Sequence, residues 1–241
     1  ILIVGGGAAG LAVASSLHKR KSTFDIAVVE PSEKHYYQPG WTMVGAGVFD
    51  KTETCRDMNA VWPIGVKRIK SEVVSFDPEQ NSVTLKDGKA VGYTSLVVAP
   101  GLKLDWDGVE GLNDALGQNG VTSNYRYDLA PYTWELVKKM DGREAIFTQP
   151  GMPIKCAGAP QKAMYLSCDH WMKKGQLKDM NVSFCNAGPV LFGCAPYVPP
   201  LMKYVDKYGI SLDFGHNLIK IDGAKKTAWF KVTKELSLIH I

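Results

Sequence analysis

The hydrophobic and polar positions of the first thirty residues predict a strand, a helix and a second strand. Residues 1–4 are all apolar, the next six are rich in glycine, and residues 25–30 form a second, mostly apolar run that ends in an acid. The intervening residues have the character of a helix. This order is typical of a βαβ mononucleotide-binding unit, in which a helix connects two parallel strands.

The turn between the first strand and the helix carries the G-x-G-x-x-G pattern of dinucleotide-binding folds. Gly5 allows the tight turn, Gly7 lets a pyrophosphate approach the backbone, and Gly10 lets the helix pack against the strand. Ala9 lies in the same turn, where free N–H groups of the helix N-terminus bind phosphates. Glu30 follows at the distance where an acid accepts a hydrogen bond from ribose hydroxyls, and its charge disfavours NADP. We therefore predict that these residues bind a dinucleotide.

The pattern beyond residue 66 predicts a β-meander inserted after the nucleotide-binding unit. Strands are expected at 66–76 and 82–85, with turns between them, and the meander is expected to return through an apolar strand at 93–101. The stretch from Val74 to Gly101 resembles the flavin-binding domain of flavoproteins with two dinucleotide-binding domains, whereas an ordinary NAD dehydrogenase lacks this meander. The resemblance implies FAD as the cofactor, with further backbone contacts near Val74, Ala99 and Gly101.

The remaining pattern predicts a second domain of the same type. Residues 108–124 are polar and glycine-rich and are expected to link two domains. A helix over 128–140 and a buried strand at 144–148 follow. The expected apolar face of this helix consists of Leu129, Tyr132, Leu136 and Met140. The sequence thus predicts an α/β protein with two Rossmann-like domains, 1–110 and 111–241, the second incomplete at its C-terminus.

The second domain lacks the glycine trio that binding of a nicotinamide dinucleotide requires. The loop at 149–162 contains several prolines, and the next strand, at 181–184, leads to no acid for a ribose. The domain is therefore expected to have the shape of a nicotinamide-binding domain without its contacts.

The same loop carries Cys156, directly ahead of a helix in which Pro160 is expected as the first residue. A thiol near a helix N-terminus, flanked by Lys155 and Lys162, favours a nucleophilic thiolate. The alternative is a buried, inert cysteine.

Composition excludes several other classes of protein. The 241 residues carry a dispersed net charge of +4, which does not suggest nucleic acid as a partner. The five cysteines show neither a zinc-binding spacing nor a secreted disulfide framework, so no metal site is predicted. The chain starts inside a strand without Met or a targeting segment, and the strand expected at 225–233 begins an element that the remaining residues do not complete. We expect a chain truncated at both ends.

Two segments closely resemble sulfide:quinone oxidoreductases of the eukaryotic mitochondrial type. They are YYQPGWTMVGAG at 36–47 and PIKCAGAPQK at 153–162, and the resemblance runs from residue 1 to about residue 230. It implies an FAD enzyme that associates peripherally with the matrix side of the mitochondrial inner membrane and oxidises hydrogen sulfide. Electrons would pass to ubiquinone, and sulfur to a small acceptor such as glutathione or sulfite.

The resemblance also implies two redox cysteines beside the flavin. Cys156 matches the first, and the second is expected beyond residue 241, so the chain alone is expected to be inactive. Sulfide would attack the oxidised pair and leave a persulfide on one cysteine and a thiolate on the other. The remaining cysteines do not match redox positions and are expected to be structural: Cys55, Cys168, Cys185 and Cys194.

Two alternatives remain open. One is a type II NADH:quinone oxidoreductase, of similar architecture but with a different electron donor, against which the missing second glycine loop argues. The other is a catalytically silent FAD-binding chain whose role, if any, is protein interaction.

Overall fold

The computed structural model describes residues 1–232 and 236–240, and the chain divides into two compact units. Unit 1 consists of Ile1–Tyr37 and Thr52–Leu104, and unit 2 of Gln38–Lys51 and Asp105–Ile241. The strand expected at 225–233 is observed up to residue 232, and its last position lies outside the described residues.

The elements are named in chain order. The α-helices are α1 (Ala8–Arg20), α2 (Trp41–Gly45), α3 (Met58–Val61), α4 (Leu112–Ala115), α5 (Ala130–Lys139), α6 (Gly158–Lys173) and α7 (Val198–Tyr208). The strands of unit 1 are β1 (Leu2–Val4), β2 (Ala27–Val29), β3 (Lys34–Tyr36), β4 (Cys55–Asp57), β5 (Lys67–Ile69), β6 (Val73–Asp77), β7 (Ser82–Leu85), β8 (Ala90–Gly92) and β9 (Leu96–Val98). Those of unit 2 are β10 (Glu144–Gln149), β11 (Asn181–Asn186), β12 (Ser211–Phe214), β13 (His216–Asp222), β14 (Thr227–Val232) and β15 (Leu236–His240).

Unit 1 is built on a parallel sheet in the order β5-β2-β1-β9. Its central strands are buried on both faces, which explains their nearly continuous apolar sequence. Ile3 and Val28 pack against Ala14 of α1, whereas Leu2 and Val29 pack on the opposite side against the meander. The predicted βαβ unit is confirmed by β1, α1 and β2.

The meander consists of antiparallel β6, β7 and β8. Val83 and Leu85 of β7 alternate toward the parallel sheet, where both are buried. The prediction of a single strand at 66–76 was wrong. Regular pairing stops after β5, which belongs to the parallel sheet, and the chain then enters the meander as β6. The N–H of Ser71 donates to the carbonyl of Ile69 in this break, which ends the pairing of β5.

Unit 2 contains a parallel sheet in the order β10-β11-β12, with α6 and α7 as the crossover helices. Its core includes Met164, Cys168 and Trp171 of α6 and Phe184 of β11, all fully buried. An antiparallel sheet of β13, β14 and β15 follows. The predicted second Rossmann-like region is therefore present in the structure. No helix among the described residues is long and apolar enough to cross a membrane.

Three expectations differ from the observed packing of unit 2. First, 108–124 is not a free linker, because it contains α4 and its apolar residues join a core with Ile221 and Phe230. Second, Ala130, Thr133 and Val137 form the buried side of α5, whereas three of the four residues of the predicted face are only half-buried.

The third difference concerns 38–51, which the sequence analysis placed in the first domain. In α2, Trp41 and Val44 pack against Ala130 of α5, so this segment clusters with unit 2. The small side chain of Ala130 permits this close approach.

Candidate cofactor and active sites

Two glycines of the first turn are required by close approaches of the backbone. Gly5 has a positive φ of 100°, and a Cβ there would lie 2.1 Å from the carbonyl oxygen of Ala99. A Cβ on Gly10 would lie 1.8 Å from the carbonyl oxygen of Gly5. Gly7 is different, because a Cβ there would meet no protein atom within 4 Å. The turn is thus closed on the side of Gly5 and Gly10 and open at Gly7.

The open side of the turn coincides with the N-terminus of α1. Gly7 is the N-cap residue and supplies no side-chain cap, so the N–H groups of the first turn, including that of Ala9, remain available to a ligand. A helix N-terminus with free N–H groups binds phosphate. These residues therefore fit the pyrophosphate of a dinucleotide.

The carboxylate of Glu30 lies beside this turn. Its Oε2 accepts a hydrogen bond of 2.7 Å from the N–H of Gly6, and its Oε1 accepts one of 2.7 Å from the N–H of Ser32. A carboxylate has about four acceptor positions, so capacity remains for ribose hydroxyls. The two backbone bonds fix the orientation of the acid that the sequence singled out.

The structure brings Ala99 to the same turn. The N–H of Ala99 donates to the carbonyl of Val4 at 2.7 Å, and the Ala99 carbonyl contacts Gly5. Gly101 follows with a positive φ of 80° and open space where a side chain would be. Val74 lies in the meander at a shift in the β6–β7 register and is 60% exposed, and its neighbour Val73 makes the contact with the sheet. The contacts of these residues with a flavin stay predictions.

The predicted catalytic cysteine lies in the loop between β10 and α6. Cys156 is exposed and has a left-handed backbone, with a φ of 61°. Its carbonyl accepts the N–H of Ala159 at 3.0 Å, and this turn leads into α6 at Gly158. Pro160 is consequently the third residue of α6 and not the first, but it still lies in the turn where no helical N–H bond is lost.

Cys156 lines a small, open pocket within unit 2. The pocket is formed by residues from three segments: Gln38, Pro39, Thr42, Asn124, Tyr125, Lys155, Cys156, Ala159 and Lys162. The Lys155 ammonium donates to the side-chain oxygen of Gln38, and the Tyr125 hydroxyl donates to the Lys155 carbonyl. An exposed thiol, two lysine side chains and the first turn of α6 thus line one pocket.

Sequence reasoning missed the contributions of Asn124 and Tyr125, because both lie in or beside the stretch taken for a linker. The one available signal was Gly45 in the motif at 36–47. A Cβ on Gly45 would lie 2.4 Å from Oδ1 of Asn124, so only glycine allows this contact.

Two of the other cysteines are enclosed by the core of unit 2. Burial raises the pKa of the Cys168 thiol to about 12, and burial together with the charge of Asp213 raises the pKa of Cys185 to about 12. Cys55 is half-buried and Cys194 is exposed. Cys168 and Cys185 are thus buried thiols with raised pKa values, whereas Cys156 is exposed.

The position that would recognise a second nucleotide is occupied by buried amides. Asn186 ends β11 and is fully buried, its Nδ2 donates to the carbonyl of Val190 at 2.9 Å, and its Oδ1 accepts the N–H of Gly188 at 2.8 Å. Gln149 ends β10 and is also buried. Asn186 is fully buried and both ends of its amide bind its own loop, so the side chain is not exposed to a ribose.

The family model for pyridine nucleotide-disulphide oxidoreductases matches residues 1–149. The chain belongs to this family. The match includes the glycine turn, the meander and β10, and it confirms the predicted fold class. Members of the family are oxidoreductases.

A curated relative of the family is the mitochondrial sulfide:quinone oxidoreductase of Dictyostelium discoideum. It is 45% identical over 249 aligned residues, which cover 100% of this chain and 55% of the relative. The resemblance drawn from the two motifs is therefore confirmed. The chain spans about half the length of the curated relatives it matches.

Two solved structures share the fold of this chain. A chain in the cryo-EM structure of the Tetrahymena thermophila mitochondrial ATP synthase has a TM-score of 0.83 and 18% identity, over 99% of this chain and 60% of that one. The sulfide:quinone oxidoreductase of Aquifex aeolicus has a TM-score of 0.79 and 20% identity, over 99% of this chain and 56% of that one. At these identities the likeness establishes the fold alone.

Proposed function

We propose that the whole protein oxidises hydrogen sulfide in an FAD-dependent reaction and transfers the electrons to ubiquinone. The observation that carries the proposal is the exposed Cys156, which lines a pocket with Lys155 and Lys162 at the N-terminus of α6. The chain aligns over its full length with a relative named sulfide:quinone oxidoreductase. Cys156 is the proposed catalytic residue.

We propose that unit 1 holds FAD. The N–H groups at Gly7, Ala9 and Gly10 would bind the pyrophosphate, Gly5 would permit the turn, and Glu30 would bind the ribose. Further backbone contacts are proposed near Val74, Ala99 and Gly101. FAD supplies a two-electron acceptor when bound. The open space at Gly7 and the oriented carboxylate of Glu30 support this assignment.

The proposed sulfur chemistry begins with a disulfide between Cys156 and a second cysteine of the whole protein. Hydrosulfide attacks one sulfur of this bond, so the disulfide breaks and a new S–S bond forms to sulfide. One cysteine then carries a persulfide, and the other leaves as a thiolate. Transfer of the outer sulfur to a small acceptor such as glutathione or sulfite returns the first cysteine to a thiolate. Reoxidation of the pair releases two electrons, which reach ubiquinone through the cofactor.

The proposed location is the matrix side of the mitochondrial inner membrane, with peripheral association of the whole protein. Support comes from the relatives, which are named mitochondrial. A fluorescent fusion of the protein extended to the length of its relatives, followed by carbonate extraction of mitochondria, tests both parts.

The deciding experiment replaces Cys156 in the protein extended to the length of its relatives. Cys156→Ser is expected to fold and retain FAD but to lose sulfide-dependent ubiquinone reduction by several orders of magnitude, because a hydroxyl cannot form a persulfide. Cys194→Ser is the matched control, since Cys194 is also an exposed loop cysteine. Wild-type turnover in Cys156→Ser would show that Cys156 is structural.

The two alternatives predict different results with the same protein. A type II NADH:quinone oxidoreductase would bleach its flavin on addition of NADH. The buried Asn186, whose amide binds Val190 and Gly188 of the following loop, argues against this outcome. A catalytically silent FAD-binding chain would show flavin absorbance that neither sulfide nor NADH changes.

A further inference from the structure

The backbone at Cys156 has a conformation that residues with a Cβ normally avoid. Its φ of 61° lies in the left-handed region, where the side chain crowds the following carbonyl. The loop between β10 and α6 must therefore be held in this conformation by contacts outside it. Within unit 2 the contacts come from two segments that also line the pocket.

Tyr125 makes the contacts with the strained residues themselves. Its hydroxyl donates to the carbonyl of Lys155 and lies 3.5 Å from the carbonyl of Cys156. The two carbonyls flank the left-handed residue, so one hydroxyl constrains both adjoining peptide groups. A tyrosine hydroxyl is protonated at neutral pH, and burial, followed by the electrostatic effect of Cys156, raises the pKa of Tyr125 further above its ordinary value of 10.0.

Hydrogen bonds also hold the segment at 122–125, which contains Tyr125. The N–H of Tyr125 donates to Oγ of Ser123 at 3.1 Å. Just before it, the hydroxyl of Thr122 is 2.8 Å from the hydroxyl of Thr133, which lies on the buried side of α5. Tyr125 is thus tied to a helix of the core, and the loop is tied to Tyr125.

We propose that Tyr125 is a positioning residue for Cys156. Its hydroxyl holds residues 155 and 156 in the left-handed turn in which the cysteine lines the pocket. The effect of Tyr125 on sulfide oxidation rests on the proposed function, whereas its effect on the conformation of the loop does not. The two can therefore be tested separately.

The conformational test uses the 241-residue chain and measures apparent melting temperatures. Glycine tolerates a positive φ that alanine does not, so Cys156→Gly is expected to melt about 2–4 °C above Cys156→Ala. In a Tyr125→Phe background the loop is free to leave the left-handed region. Glycine then has no advantage in the folded state and only increases the conformational entropy of the unfolded chain. Cys156→Gly should therefore melt below Cys156→Ala in this background.

Tyr132→Phe is the matched control, because it removes a hydroxyl that accepts a hydrogen bond from the N–H of Gly120, in the same unit. It should lower all melting temperatures alike and keep the Gly-above-Ala order. An unchanged Gly–Ala difference in Tyr125→Phe, or the same reversal in Tyr132→Phe, would overturn the proposal.

The catalytic test uses the protein extended to the length of its relatives. Tyr125→Phe should lower kcat for sulfide oxidation about 10- to 100-fold, because displacement of the reacting Cys156 sulfur from its proper geometry lowers the rate steeply. FAD content and KM for ubiquinone should be unchanged, and Tyr132→Phe should keep kcat. Absence of sulfide oxidation in the parent protein would refute the proposed function and leave the melting test valid. An active parent with full kcat in Tyr125→Phe would refute the positioning role.

Discussion

At the scale of single residues, Gly7 and Gly10 illustrate how one sequence pattern contains two physical constraints. Gly10 is required by the fold, because a Cβ there would lie 1.8 Å from a carbonyl oxygen. Gly7 faces open space and is required only if a ligand approaches. The sequence pattern cannot separate these roles, since both residues are simply glycine.

This difference predicts opposite outcomes for two substitutions. Gly7→Val should melt close to the parent chain but bind less FAD, because its side chain would take the space that a pyrophosphate needs. Gly10→Val should lower the melting temperature of unit 1 through the backbone clash. Flavin absorbance per protein and thermal unfolding distinguish the two. Full FAD occupancy in a folded Gly7→Val protein would refute the cofactor assignment.

The cysteines predict a second difference between residues. Iodoacetamide followed by peptide mapping of the native chain should label Cys156 first, because it is exposed. Cys168 and Cys185 should stay unlabelled at pH 8, since burial excludes the reagent and their pKa values of about 12 leave almost no thiolate. Equal labelling in 6 M guanidinium chloride is the control. Native labelling of Cys168 at the rate of Cys156 would contradict the burial of α6.

The same raised pKa values imply alkaline sensitivity. A thiol whose folded pKa lies above its ordinary value of 9.0 contributes stability that is present below pH 9 and is lost as the pH rises toward about 12. Above pH 9 each buried thiol should lower the free energy of unfolding by about 1.4 kcal/mol per pH unit. Denaturant titrations of the parent chain and of Cys168→Ala measure this, and an identical slope in both would exclude Cys168 as a cause.

At the scale of elements, the carboxyl end of β11 shows how a nucleotide-binding position is closed. Asn186 uses its amide as donor to Val190 and as acceptor from Gly188. The absence of an acid at this position is visible in the sequence. The satisfaction of both amide groups by the following loop became visible only in the structure, because it depends on where that loop folds back.

Asn186→Asp tests this closure. The carboxylate keeps the acceptor for Gly188 but places an oxygen against the Val190 carbonyl, so the free energy of unfolding should fall by about 1–3 kcal/mol. Asn217→Asp is the matched control, because Asn217 is exposed on β13 opposite Lys231, and should change stability by less than about 0.5 kcal/mol. Equal effects of the two substitutions would argue against a tightly bonded Asn186.

At the scale of the whole molecule, the assignment of 38–51 to unit 2 predicts where a core substitution acts. Trp41→Ala removes a buried ring that packs against Ala130, and should cost about 3–5 kcal/mol. Hydrogen exchange should increase in α5 and not in β1. Trp62→Ala is the complementary control, because Trp62 packs in the core of unit 1. Faster exchange in β1 of Trp41→Ala would contradict the division into units.

Much of the fold was determined by the sequence itself. The elements β1, α1, β2, β10 and β11 are encoded by local patterns: apolar runs, the glycine turn and the acid at Glu30. These signals act over a few residues, where steric limits on glycine and the period of a strand or helix dominate. The position of Cys156 just ahead of a helix was likewise predictable from its neighbours, whereas its exposure came from the structure.

Only the tertiary structure decided which residues surround Cys156. Gln38 lies 117 residues before Lys155 and accepts a hydrogen bond from its ammonium group. Tyr125 lies 30 residues before Lys155 and donates to its carbonyl. The buried side of α5 and the break between β5 and β6 were decided in the same way. Contacts between distant segments depend on the shape of the packed side chains, and the local pattern of apolar and polar positions carries no record of that shape.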